Sequence, residues 1–233
     1  MILNGGKPTI QIAKTDVDGN IGKWKTLDNP KEDTTSMETK AGDKDEWFGE
    51  GHEKVDSYQK TSDYSLKFEL FAKKGYEKPI PDVNGRITDN YAIRVIPEDP
   101  TCYGIFMPRC SVSCEETWSG KDTSLWKYTF DALKSPDTEE LMDYFVYANL
   151  LVLSDNYVAF TKASGEQTVT AEIGAGTTIT VSEELDWITT EVSGETISIS
   201  ASANSGEKRK GFITLTTDDG KSCQLKVIQA AGN

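Results

Sequence analysis

Apolar and polar residues alternate with a period of two along most of the chain, the signature of strands that bury one face. Tyr64, Leu66, Phe68 and Leu70 are spaced by Ser65, Lys67 and Glu69, so one face is apolar and the other wet. Ile10 and Ile12 precede the turn signal Asp18-Gly19-Asn20, and residues 21–27, carrying Trp24, read as the return strand of a first hairpin. Asn84-Gly85 marks a tight turn, after which Tyr91, Ile93 and Val95 alternate with Ala92 and Arg94 until Pro97 ends the run. Strands are also expected over 105–115 and 125–132. The second sets Trp126, Tyr128 and Phe130 on one face, suited to packing against another layer. Ser135-Pro136-Asp137 offers an N-cap, a proline at the first helical position and an acid in the first turn. A short helix is therefore predicted through Glu139, Glu140, Leu141 and Met142, before a further strand over 144–152.

No strand or helix pattern is legible from Asp28 to Ser62, 35 residues that hold 10 acids, 5 lysines and three glycines. Compact domains seldom hold structureless loops beyond about 15 residues unless the loop is functional or disordered. High charge with few apolar residues is the composition of disorder, but Trp47, Phe48, Val55 and Tyr58 count against it. Rings inside the glycine-punctuated run Glu46-Trp47-Phe48-Gly49-Glu50-Gly51-His52 are anchors that need a surface to bury against, and another subunit is the natural candidate. Docking through Trp47, Phe48, Glu50, His52, Val55 and Asp56 is the expectation, with the loop and a Met1–Lys14 arm ordering on assembly.

Residue types change near position 153, where the chain becomes rich in Thr, Ser, Gly and Ala. Short strands are expected over 167–171, 177–181, 196–202, 212–217 and 223–229, a spacing that points to an immunoglobulin-like sandwich. Asp218-Asp219-Gly220-Lys221 would close the last hairpin, with Ile213, Leu215, Cys223, Leu225 and Val227 sharing an inner face. The predicted class is mainly β, with domains at 1–150 and 153–233.

Composition narrows the chemistry. The 233 residues carry 38 acids against 25 bases, and a net charge of −13 opposes close approach to a phosphate backbone. No apolar run reaches the roughly eighteen residues of a membrane helix, and no secretory leader is legible at the start. Four cysteines without an export signal are expected to be free thiols of a reducing compartment. His52 is the single histidine, which leaves little for zinc or imidazole-assisted nucleophiles. Cys102, Cys110 and Cys114 with His52 would make a metal set, but Cys110, Val112 and Cys114 alternate with polar residues and read as core. Glu50 with Asp56, or Glu115 with Glu116, are the nearest carboxylate pairs for acid–base work, a proximity expected by chance in so acidic a chain. No catalytic residue, cofactor or metal is expected. Lys208-Arg209-Lys210 reads as solvated charge at a turn.

The run from Thr34 through Lys60, with Gly49-Glu50-Gly51-His52-Glu53 leading to Val55-Asp56-Ser57 and a lysine before the Tyr64 strand, is similar to tail tube proteins of long-tailed bacteriophages. Tyr91-Ala92-Ile93-Arg94-Val95 and Ala132-Leu133-Lys134 fit the same pattern, and the resemblance covers residues 5–150. It implies a small sandwich or barrel with a flanking helix, assembling into hexameric rings that stack into a hollow tube. An amino-terminal arm and a long loop would grip the next ring. Residues 153–233 resemble the BACON domain, named for Bacteroidetes-associated carbohydrate binding. The likeness runs through 155–160, 165–170, Asp186-Trp187-Ile188-Thr189, Gly194, Ile197-Ser198-Ile199-Ser200, Asn204, 209–215 and Val227-Ile228-Gln229.

Together the two resemblances imply a virion protein, the major tail tube subunit of a phage with a Bacteroidetes host, carrying an outward-facing immunoglobulin-like module. Its partners would be copies of itself, other tail proteins and phage DNA passing without specific binding along a wall whose carboxylates repel it. Host-surface glycans are a further implied partner, with Tyr157 and Trp187 as the contacts, although Trp187 beside Ile188 reads as a packing residue. Many weak contacts along a tube would add up to avidity. The alternatives are a surface or secreted glycan binder acting through the second domain, and the inner tube of a contractile injection device.

Overall fold

The structure, a computed structural model, describes residues 6–73, 75, 77–118, 123–138 and 140–232. Strand accounts for 53 % of the chain and helix for 1 %, so the mainly β class stands.

The first sheet runs β1 (Thr9–Thr15), β2 (Lys25–Thr26), β3 (Ser36–Lys40), β6 (Asp63–Phe71), β7 (Asn90–Ile96), β8 (Tyr103–Thr117), β9 (Leu125–Ala132) and β10 (Asp143–Val146). Its order is β2-β1-β7-β8-β9-β6-β3, with β10 on the other end of the long β8. Every pairing is antiparallel. One face carries a continuous core of Ile10, Ile12, Leu66, Phe68, Leu70, Ile93, Met107, Tyr128 and Phe130, none more than 2 % exposed. Phe68 sits between Tyr128 and Phe130, 5.7 Å from each ring. Among the described residues no second sheet covers this face. Instead the sheet rolls over it: a cavity of about 710 Å³ is bounded by Met37 and Leu66 from one end of the strand order and by Pro8 and Val95 from the other. The result is an open barrel whose edge strands are β2 and β3.

The strongest alternating segments fall where the pattern put them, β6 burying Leu66, Phe68 and Leu70 and β9 running from Leu125 to Ala132. The strand expected over 21–27 is reduced to Lys25–Thr26, and the one over 144–152 ends at Val146 in a 3-10 turn over Tyr147–Asn149. Asn84 and Gly85 both take positive φ, as a tight turn of that kind requires. Three further expectations are corrected. Residues 135–142 contain no helix among those described, with Glu139 outside them; Asp137, expected in a first turn, points its carboxylate at two lysines. Residues 28–62 are not structureless, since they hold β3, β4 (Lys44–Phe48) and β5 (Lys54–Gln59). Residues 9–14 are not a free arm: β1 lies between β2 and β7 with Ile10 and Ile12 buried, and residues 1–5 fall outside the described part.

The remaining strands are β11 (Tyr157–Phe160), β12 (Gly165–Thr170), β13 (Ile179–Ser182), β14 (Ile188–Ser193), β15 (Thr196–Ala201), β16 (Arg209–Thr217) and β17 (Ser222–Gln229). One sheet has the order β11-β17-β16-β13, the other β12-β15-β14. Lettered a to g in chain order, these are a-g-f-c and b-e-d, the immunoglobulin arrangement, with the first strand pairing in parallel with the last. Ile197, Ile199, Ile213, Leu215, Leu225 and Val227 are fully buried between the sheets. Asn204 holds one end of the sandwich together, its amide donating to the carbonyls of Glu207 and Ala230.

Ion pairs and hydrogen bonds join the two parts. Lys208 meets Asp18 at 2.6 Å, Lys210 meets Asp137 at 2.7 Å, Lys23 meets Asp155 at 3.2 Å, and Lys226 pairs with Asp137. Trp24 donates its indole N–H to Asn156, whose amide donates to the Gly22 carbonyl. Lys208 and Lys210 are therefore not merely solvated charge at a turn but pair across the joint, while Arg209 between them bonds within the sandwich to Gln229 and Ser202. Burial alone would push the Asp137 carboxyl up, yet the hydrogen bonds from Lys210 and Lys226 hold it below the ordinary 3.8. Its depressed value contributes stability above about pH 4 that is lost as the pH falls through the folded value. Asp137→Asn is expected to cost about 3 kcal/mol in urea unfolding at neutral pH, because it strands the buried Lys226 ammonium. The difference from wild type should shrink below about pH 4. An unchanged midpoint at neutral pH would show that the Asp137 pairing contributes nothing.

Candidate functional site

β4 and β5 form a separate two-stranded hairpin, paired only with each other. Every residue of both strands is exposed. The register explains how the hairpin uses its faces. Trp47 opposes Asp56 and Asp45 opposes Tyr58, so Trp47 and Tyr58 share one face between two carboxylates. A bulge between Trp47 and Phe48 interrupts the ladder before the tip. The opposite face carries Lys54 and Lys44 bracketing Glu46 at 2.5 and 3.4 Å. At the tip, Gly51 and His52 take positive φ, and the His52 ring stacks on Phe48 at 4.7 Å with the planes 4° apart.

The expected interface residues are thus brought together on one element. Trp47 and Phe48 lie on β4, Val55 and Asp56 on β5, and Glu50 and His52 in the turn between them. Apart from the Phe48–His52 stack, the rings are left to solvent: Trp47 is 52 % exposed, Phe48 48 % and Tyr58 59 %, with Val55 beside them at 72 %. Four of the large apolar side chains left exposed among the described residues sit on this one hairpin.

The other candidates are dispersed. Cys110 is fully buried on β8 beside Met107, and burial pushes its thiol far up, out of reach of thiolate chemistry. The Cys223 thiol is pushed up to about 12 by the same cause. Among the described residues no cluster of His, Cys, Asp and Glu has the geometry of a metal site. Glu115 and Glu116 are neighbours on β8 and so project to opposite faces, with Glu116 paired to Lys78. Trp187 is 7 % exposed, with the Arg209 guanidinium 4.6 Å from its ring centroid, so it offers no platform to a sugar. Tyr157 is half-buried and lines a cleft between barrel and sandwich.

That cleft, about 330 Å³, was not legible in the sequence. Its walls are largely apolar and aromatic, including Trp24, Phe106, Phe145, Tyr157 and Phe212. Arg94, on the outer face of β7, lines it while only 7 % exposed. The guanidinium lies 4.4 Å from the Trp24 ring centroid and 5.5 Å from that of Tyr147, and its Nε donates to Gln11 at 2.6 Å. Burial pulls its pKa below the ordinary arginine value, countered by the fields of Tyr147 and Glu172. One signal was present in the sequence. An arginine in a short strand of otherwise apolar residues has to be housed if both faces of that strand are covered.

No family model matches the chain, and no curated protein matches it. Among solved structures, an endo-fucoidan hydrolase of glycoside hydrolase family 107 overlaps 99 % of this chain and 42 % of its own, at 10 % identity and a TM-score of 0.30. The SGBP-B protein of a Bacteroides ovatus mixed-linkage glucan utilization locus, in complex with a mixed-linkage heptasaccharide, overlaps 97 % and 71 % at 14 % identity and a TM-score of 0.21. The chain spans less than half the length of the first. Likeness this faint carries no weight for function.

Exposure of the hairpin rings has a direct consequence for the isolated chain. Trp47→Ala is expected to change unfolding free energy in urea by less than about 0.5 kcal/mol, as at other exposed positions. A loss of several kcal/mol would mean that Trp47 packs against its own chain.

Proposed function

We propose that the chain is a structural subunit that assembles through its β4–β5 hairpin, the major tube protein of a long-tailed phage. The observation that carries this reading is the fully exposed hairpin presenting Trp47, Phe48, Val55 and Tyr58. A two-stranded hairpin is marginal by itself in water, and one that keeps four apolar side chains in solvent gains most from a partner that covers them. A second copy is the partner of choice, because β2 and β3 leave both edges of the barrel sheet open for lateral contact with like neighbours. Stacking rings would then grip one another through the hairpins, Trp47, Phe48 and Val55 supplying buried area and Glu50, His52 and Asp56 the polar rim. The resemblance of residues 5–150 to tail tube proteins supports the same assignment, as does a charge of −13, which suits a wall that DNA slides past without sticking.

The immunoglobulin-like sandwich would face outward as decoration. Glycan binding by that module has lost its best platform, since Trp187 is buried under Arg209. A contractile injection device would use the same hairpin contact for its inner tube.

Replacing Trp47 and Phe48 together with alanine is expected to leave a folded monomer that forms no tubes in negative-stain electron microscopy, where the unaltered protein forms them. Tubes of normal length from the double variant would refute hairpin-driven stacking.

A further inference from the structure

We propose that the cleft between barrel and sandwich is a binding site for a small ring compound bearing one oxyanion, a carboxylate or a sulfate ester, held by Arg94. The cleft is distinct from the hairpin, so it stands whether or not the chain assembles.

A charged side chain withdrawn from water needs a counter-charge or a full set of hydrogen bonds. Arg94 has neither. Among the described residues its hydrogen bond runs from Nε to Gln11, and its terminal nitrogens, with no partner in the protein, are not sealed from solvent at the cleft the residue lines. Trp24 and Tyr147 present ring faces to the guanidinium, which satisfies its plane but not its N–H edge. The neighbouring acids do not supply the missing partner. Asp137 is committed to Lys210 and Lys226, and Glu172 acts on Arg94 only through its field, with no hydrogen bond.

The lining is also the wrong sign for this protein. Arg94 and Lys226 outnumber Asp137 there, in a chain whose net charge is −13. A planar fork of N–H donors matches a carboxylate or sulfate two bonds at a time. Phe106, Phe145, Tyr157 and Phe212 wall the rest of the space, and Phe212, 43 % exposed, marks the open side. A cavity of about 330 Å³ is at the lower end of small-molecule sites and suits a single ring with its substituents. Apolar walls with one charged donor in their midst are the composition such sites share.

The test uses the full-length protein, titrated separately with glucuronate, a galactose sulfate ester and phenylacetate. Glucose serves as the uncharged ring and inorganic sulfate as the ringless anion. Calorimetry measures affinity while NMR follows the Arg94 Nε–H signal. At least one ring anion is expected to bind and to move that signal, with glucose and inorganic sulfate about tenfold weaker or more. Whether carboxylate or sulfate binds tighter identifies which oxyanion the site takes. Arg94→Gln, checked for folding by circular dichroism, should weaken the best ligand by about tenfold or more. If that variant does not fold, the response of the Nε–H signal in the unaltered protein decides. Ring anions that leave the signal in place, inorganic sulfate that binds as tightly as they do, or a folded glutamine variant that binds like wild type would each overturn the proposal.

Discussion

Two antiparallel strands without a third strand or a covering layer bury too little to be stable on their own. The β4–β5 hairpin meets that constraint with the Lys54–Glu46 ion pair on one face and with Trp47, Tyr58 and the Asp45–Lys60 ion pair on the other. Ion pairs this exposed contribute little, so the hairpin is left short of stabilising contacts within one copy. Everything proposed about assembly depends on that deficit. The barrel and the sandwich each close a core of their own, which leaves the hairpin as the element whose energetics are incomplete in a single copy.

A second imbalance sits at the joint. The barrel and the sandwich meet through Asp18, Asp137 and Asp155 against Lys208, Lys210, Lys226 and Lys23. Acids of one part face bases of the other there, Asp155 and Lys23 being the exchange in the opposite sense. Such pairing fixes orientation more than it adds stability. Between the pairs, β7 is covered on both faces: Ile93 and Val95 point into the barrel core, while Ala92 and Arg94 point toward the joint. That double coverage is what withdraws Arg94 from water.

Where one face of a strand is buried, its period-two pattern was readable, and β6, β9, β16 and β17 lie where Leu66, Phe130, Leu215 and Leu225 placed them. β3, β4 and β5 were illegible for the converse reason. Neither face of Lys44–Phe48 or Lys54–Gln59 is buried, so no alternation was imposed on those residues. No helix follows Ser135-Pro136-Asp137 among the described residues, where Asp137 instead pairs with Lys210 and Lys226 of the sandwich. Of the candidate site, the aromatic anchors were visible as misplaced rings in a charged stretch. The cleft around Arg94 was not, since it is built from residues as far apart as Trp24 and Lys226.

Hydrogen–deuterium exchange of the hairpin amides, measured on dilute protein and again on concentrated material, tests the central claim most directly. Residues 44–59 should exchange rapidly in the 25.7 kDa monomer and become strongly protected in assembled rings, while the sandwich core changes little. A lone 25.7 kDa particle at every concentration, or rings in which those amides still exchange as fast as in the monomer, would contradict it.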